Sequence, residues 1–334
     1  MTSRHTRVTL AAALVALHSG AVAAEGPVVI AHRGASGYLP EHTLEAQAMA
    51  HAQGADFIEQ DVVLTSDGVP VVLHDLYLDA VSDVARTFPG RSRPDGRHYA
   101  IDFTLEELRR LRIHERIDLR TGGQLFPGRF PADQGDFRIV TLAEDLEFLA
   151  GLARSTGRGV GCYTELKKPA WHREQGQDVT TATLAVLREH GLDGTEPACR
   201  LQTFERDEIR RIRHELGWRG GLTLLLAEVP EGPSGERTDP LLEPGALAAV
   251  AADADGIGPH IARVVGNDGT PTGLVAAAHA AGLLVHAYTL RCDALPPFAT
   301  SAGEALQILC DEARLDGVFT DFPDVAVAWR AARR

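Results

Sequence analysis

Short apolar, β-branched runs alternate with longer helical patterns almost from end to end of the 334-residue chain, and this alternation limits the fold more than any other feature. Strands are predicted at Val28–Ala31, Phe57–Leu64, Val160–Leu166, Cys199–Phe204, Leu222–Leu226, Gly256–Pro259, Leu283–Tyr288 and Gly317–Thr320, with a further short one at Val69–Leu73 after the turn Ser66-Asp67-Gly68. Helices are predicted between them. One runs from the N-cap Thr43 to Gln53, and another opens on the capping box Thr141-x-x-Glu144 and reaches about Ser155. Others fall near Thr180–His190, Arg206–Leu216, Pro244–Ala252, Thr272–Ala281 and Glu304–Ala313, with a last one after Pro323. Eight strand-then-helix units predict an α/β (β/α)₈ barrel. An open doubly wound sheet is the alternative, but no G-x-G-x-x-G follows the first strand.

Two segments lie outside this pattern. Residues 1–24 read as a cleaved secretory signal: Arg4 and Arg7, the apolar run Val8 to Leu17, then small residues through Ala24. A periplasmic or secreted location follows from that reading, with residues 25–334 as a single barrel domain. The second segment, about 77–137, is rich in Asp, Arg, Gly and Pro, with one helix expected after the capping box Thr104-x-x-Glu107. It is too long for an ordinary connection and is read as an insertion at the barrel mouth after the second strand, with too few apolar residues for a core of its own.

Composition narrows the function. With 33 Lys+Arg against 46 Asp+Glu the net charge is −13, which argues against a nucleic-acid partner. No run of about 20 apolar residues exists, so stable membrane insertion is not expected. Lysine occurs only at Lys167 and Lys168. Four cysteines, Cys162, Cys199, Cys292 and Cys310, would meet an oxidising compartment. Cys162 and Cys199 are read as buried free thiols on neighbouring strands in preference to a bridge. A monomer or homodimer is expected.

Barrel sites form at the C-terminal ends of strands. His32, Arg33 and then Glu41 follow the first strand. Glu59 and Asp61 end the second on one face, His74 ends the short extra strand, and Glu165 and Lys167 end the next long one. Three carboxylates without Cys suit a hard divalent ion, Ca²⁺ or Mg²⁺, better than Zn²⁺. Arg33 and Lys167 suit an anion, and His32 and His74 an acid–base pair. Together they suggest metal-assisted phosphoryl chemistry. Taken singly, each has a structural reading as salt-bridge partner or hydrogen-bonded histidine. As a set they would be costly to bury unless paired with one another, an ion or a substrate.

The segment His32-Arg33-Gly34-Ala35-Ser36-Gly37-Tyr38-Leu39-Pro40-Glu41-His42-Thr43, with Glu59-Gln60-Asp61, Leu73-His74-Asp75, Glu165-Leu166-Lys167 and Phe319-Thr320-Asp321-Phe322-Pro323-Asp324, resembles the glycerophosphodiester phosphodiesterase family, in its periplasmic type. The resemblance implies hydrolysis of small-molecule glycerophosphodiesters to sn-glycerol 3-phosphate and an alcohol, with one divalent cation, Ca²⁺ first and Mg²⁺ second. It implies Glu59, Asp61 and Glu165 as metal ligands, His32 and His74 as catalytic acid and base, and Arg33 and Lys167 as phosphate contacts, with Glu41 in support. A related phospholipase acting on intact lipids is the alternative enzyme. A glycosidase using Glu59 and Glu165 would leave both histidines and both cations unexplained, and a non-catalytic binding role would require tight binding without turnover.

Overall fold

Strand β1 (Val28–Ala31) hydrogen-bonds β2 (Phe57–Leu64) on one edge and β9 (Gly317–Thr320) on the other, so the sheet closes on itself. The computed structural model describes residues 26–194, 198–229 and 239–333; the leader read at residues 1–24 lies outside them. Between β2 and β9 run β4 (Gly161–Leu166), β5 (Cys199–Thr203), β6 (Gly221–Leu226), β7 (Gly256–Pro259) and β8 (Leu284–Leu290), all parallel and in chain order. The ninth strand, β3 (Pro70–Val72), pairs antiparallel with the far end of β2 and stays outside the barrel. The architecture is therefore the expected eight-stranded parallel barrel with its extra short strand.

Period-two alternation on β2 explains both of its faces. Phe57 points inward and packs with Ile30, Tyr163 and Phe319 in the barrel lumen. Ile58 points outward against Ala50 and Leu149 of the surrounding helices. The large outer core fills the space between the strands and the ring of helices, and Cys162 and Cys199 lie within it, opposite each other in register, buried and unbridged. The helices start where the caps predict. Thr43 accepts from the backbone of Ala46, and both capping boxes form, at Thr104–Glu107 and Thr141–Glu144.

One expectation about the insertion needs correcting. Leu78, Val81, Val84, Phe88, Phe103, Leu108, Leu111 and Ile113 are buried in a second hydrophobic cluster. It is completed by Val63 and Val71 from β2 and β3. The insertion does hold a core, built against Val63 and Val71 of the hairpin that precedes it. Short helices the sequence pattern did not indicate also occur, among them Pro169–Glu174 directly after Lys167.

Candidate active site

At the C-terminal end of β2 and β4, Glu59, Asp61 and Glu165 converge. Each offers a carboxylate oxygen, and these atoms lie within 4.8 Å of one another. All three residues are buried. Asp61 and Glu165 are opposite each other in the β2–β4 register, which brings them together directly. Glu59 is oriented by two donors, the Gln202 side-chain amide at 2.8 Å and the Arg33 backbone N–H at 3.0 Å. Asp61 accepts from His42 Nε2 at 2.7 Å, while its Oδ1 has no hydrogen-bond partner.

The electrostatics follow from this crowding. Burial, then the charges of Asp61 and Glu165, push the Glu59 carboxyl well above the usual range. Burial likewise pushes Glu165 up to about 8, with Lys167 opposing and Asp61 adding. Asp61 goes the other way: burial would raise it, but Lys167, His74 and His42 hold it well below. An all-oxygen donor set, mutual repulsion and a buried Asp61 oxygen that receives no hydrogen bond fit a hard divalent cation.

Arg33 sits at φ 61°, in the left-handed region, and Gly34 follows at φ 82°. A side chain on Gly34 would come within 2.9 Å of the Ala46 backbone, so the turn after β1 closes tightly under its helix. This geometry turns the Arg33 guanidinium toward the mouth. There Nη1 bonds Glu41 at 3.0 Å, and Nε lies 3.6 Å from Asp61. Lys167 Nζ reaches Glu165 at 2.7 Å and Asp61 at 3.5 Å. Both predicted phosphate contacts thus also neutralise the carboxylates beside them.

Each histidine is braced by a carboxylate. His32 Nδ1 donates to Asp321 Oδ1 at 2.6 Å, and His74 Nδ1 donates to Asp75 Oδ1 at 2.7 Å. A carboxylate only accepts, so each Nε2 keeps its lone pair. Burial, then Arg33, pulls His32 down to about 4 in spite of Asp321. Burial, then Arg33 and Lys167, pulls His74 down to about 3. The braces are braced in turn. Arg129 and Arg291 both bond Asp321, at 2.7 and 2.9 Å. Arg116 joins Asp75 to Glu41, at 2.7 Å to each.

The structure therefore brings together all eight residues singled out in the sequence: His32, Arg33, Glu41, Glu59, Asp61, His74, Glu165 and Lys167. It adds Asp321, Asp75, His42 and Gln202 around them, and Arg116 and Arg129 from the insertion. Asp321 carried a readable signal, since it follows β9 at the same end of the barrel. The insertion was expected at the mouth, but which of its arginines meet Asp75, Glu41 and Asp321 carried no signal, because only tertiary folding settles that. Between the insertion and the barrel lies a cavity of about 310 Å³, bounded by His32, Arg33 and His74 on one side and by Glu115, Phe126 and Arg129 on the other. Near the C-terminal ends of β5, β7 and β8, Tyr288 packs edge-on with Phe204 and His260, at ring-centroid distances of 6.0 and 5.7 Å.

Comparison with known proteins gives a consistent picture. The model of the glycerophosphoryl diester phosphodiesterase family matches residues 32–325. The chain is 42% identical to a glycerophosphodiester phosphodiesterase of Haemophilus influenzae, covering 90% of this chain and 88% of the relative. It is 34% identical to one of Treponema pallidum, covering 90% of each. Among solved structures, a Silicibacter pomeroyi protein assigned to glycerophosphoryl diester phosphodiesterases superposes with a TM-score of 0.70 at 26% identity, over 92% of this chain and 95% of that one. An Oleispira antarctica phosphodiesterase, solved with its product sn-glycerol-3-phosphate, shares the fold with a TM-score of 0.61 at 24% identity, over 91% and 96%.

Proposed function

The chain belongs to the glycerophosphoryl diester phosphodiesterase family, and from that premise we propose how its own residues carry the reaction. The activity is hydrolysis of glycerophosphodiesters to sn-glycerol 3-phosphate and an alcohol. The observation that carries the residue assignment is one constellation: three buried carboxylates between two carboxylate-braced histidines, with Arg33 and Lys167 alongside.

Glu59, Asp61 and Glu165 would hold a divalent ion, Ca²⁺ in the first instance and Mg²⁺ in the second. Bound there, the ion supplies charge neutralisation and polarises a phosphate oxygen. Arg33 and Lys167 bind the same phosphate, the first as a planar fork and the second as a point charge. The histidines do the proton work. With Nδ1 committed to Asp321 or Asp75, one histidine is neutral and takes the proton of the attacking hydroxyl on Nε2, while the other, protonated on Nε2 once the phosphate is bound, gives that proton to the departing alcohol oxygen. The phosphate's negative charge, entering between them, raises the proton affinity of both toward neutrality. Glu41 tethers Arg33 and Arg116 and so keeps both guanidinium planes in place.

The apolar run Val8 to Leu17 behind Arg4 and Arg7 supports a periplasmic or secreted enzyme, working as a monomer or homodimer on a freely diffusing substrate. Among the described residues no helix is long and apolar enough to cross a membrane. The decisive assay is product analysis with glycerophosphocholine, with and without a chelator. Release of sn-glycerol 3-phosphate and choline that stops on chelation is expected. Release of phosphocholine, or turnover indifferent to chelation, would refute the assignment.

A further inference from the structure

Both histidine–carboxylate pairs end on an arginine from the insertion. Asp75 Oδ1 accepts from His74 Nδ1, and its other oxygen, Oδ2, accepts from Arg116 Nη1 at 2.7 Å. Asp321 repeats the pattern: Oδ1 accepts from His32 Nδ1, and Oδ2 accepts from Arg129 Nη2 at 2.7 Å. The segments that carry the two arginines are held in place. Ile117, next to Arg116, pairs with Gln124 and donates its backbone N–H at 2.9 Å to the carbonyl of Ala80, a member of the insertion's core. The Arg129 side chain is 5% exposed, and its guanidinium lies 3.8 Å from the centre of the Phe126 ring.

A carboxylate braces an imidazole only while it is ionised and turned the right way. Rotated or protonated, it would let the neutral ring put its proton on Nε2, and it would no longer steady the imidazolium. Arg116 and Arg129 oppose both failures. Each fixes the second oxygen, so the first stays aimed at Nδ1, and each adds a positive charge that favours the ionised form in a buried place. Burial would raise Asp75, but the His74 hydrogen bond and Arg116 hold it down at about 2. Burial would likewise raise Asp321, but His32, Arg291 and Arg129 hold it well below the usual carboxylate range.

We propose that Arg116 and Arg129 are positioning residues, through which the insertion acts on the chemistry by fixing Asp75 and Asp321 against His74 and His32. The proposal rests on the phosphodiesterase reading above. The two arms are unequal. Asp321 Oδ2 has a second guanidinium, Arg291 Nε at 2.9 Å, directly after β8. Among the described residues Arg116 is the one arginine bonded to Asp75. Arg116 also bonds Glu41 through Nε and Nη2, and Glu41 bonds Arg33. The rival role for Arg116 is therefore phosphate binding by way of Glu41 and Arg33, and that role would show in KM.

The test is a pair of double-mutant cycles in the full-length enzyme, read as kcat and KM on glycerophosphocholine and as inhibition by inorganic phosphate. Arg116→Ala should lower kcat by about 10- to 100-fold, the worth of a charge-assisted hydrogen bond, while KM and phosphate inhibition hold. In an Asp75→Ala background the same substitution should cost no further kcat, because its route to His74 is already gone. Arg129→Ala should cost less, since Arg291 remains, and Arg129→Ala combined with Arg291→Ala should fall to the level of Asp321→Ala. Full activity of Arg116→Ala, losses of kcat that multiply between Arg116 and Asp75, or a loss confined to KM and phosphate inhibition would overturn the proposal. Arg116→Lys keeps a cation beside Glu41 and carries the same cycle if Arg116→Ala does not fold. Its smaller loss of kcat should vanish in the Asp75→Ala background. A wild-type enzyme inert toward glycerophosphocholine would instead bring down the phosphodiesterase reading, and this inference with it.

Discussion

The two faces of β2 bury acids in opposite ways. On the inner face Glu59 and Asp61 meet Glu165 within reach of Lys167, Arg33 and two histidines. On the outer face Gln60 looks toward Asp145, a fully buried carboxyl at the start of the helix Leu142–Thr156. The amides of Gln60 and Gln47 are its polar neighbours, and neither Asp145 oxygen is in hydrogen-bonding geometry with a donor. Both faces hold carboxyls with proton affinities raised by burial. Only the inner one adds cations, a cavity and convergent ligand atoms. Burial and a shifted pKa therefore do not by themselves mark a site; the company of cations and open space does.

If that distinction is right, removing the ion should act on the inner face alone and with the largest effect. Chelation should abolish turnover and lower the melting temperature, because three carboxylates would then repel each other in a closed site. Glu165→Gln should weaken metal affinity by removing a ligand charge, measurable by calorimetric titration of the metal. Full activity in excess chelator, with no metal found by elemental analysis, would erase the difference between the faces. The next largest effect belongs to the histidines. His32→Ala and His74→Ala should each lower kcat by about 10²–10⁴-fold, with KM moving less. A variant keeping more than about a tenth of the rate would remove that histidine from proton transfer.

The inner face was the legible one. Glu59 and Asp61 share a strand face by simple alternation, and the rule that barrel sites lie at strand ends collected His32, His74, Glu165 and Lys167 from separate segments. The barrel itself was legible because short strand-like runs alternate with helical patterns along the chain. The outer acid was not legible. Asp145 stands beside Glu144 in the first turn of a capped helix, where acids are expected for the helix dipole, and only packing reveals that it points inward. The insertion's core was missed for a related reason. Its apolar residues are spaced singly among charged ones, and they cluster only against Val63 and Val71. Arg116 and Arg129 act by closing distances of 41 to 192 residues along the chain, which no local pattern encodes.

A smaller effect sharpens the inner face further. Lys167 bonds Glu165 at 2.7 Å through a compact ammonium in a buried corner. Lys167→Arg keeps the charge but must fit a larger planar group there. Displacing the triad or the phosphate by the order of 1 Å would cost up to about 10²-fold in kcat/KM. A fully active Lys167→Arg would show that the corner tolerates the guanidinium and that position 167 contributes charge alone.

The smallest effect, and one confined to stability, is expected at Asp145. Burial pushes its carboxyl up to about 7, while Gln60 and Gln47 only partly oppose this. The unfolded chain loses the proton near the ordinary carboxylate value, about 4. Between those two pH values the native state holds more protons than the unfolded state, so this residue's contribution to stability falls as pH rises from about 4 to about 7 and stays low above that. Asp145→Asn removes the ionisation and keeps the shape. The variant should therefore melt a few degrees above the wild type at pH 8, and the gap should narrow to about a third of that by pH 5. Differences between variant and wild type at each pH cancel the other carboxyls, including the triad. Turnover of glycerophosphocholine should be unchanged, since Asp145 lies behind the strand. A gap that is the same at both pH values would mean that Asp145 titrates alike in the folded and the unfolded chain. A large loss of kcat would mean that the outer face of β2 is coupled to the inner one after all, and that the two buried acid sites are parts of one machine.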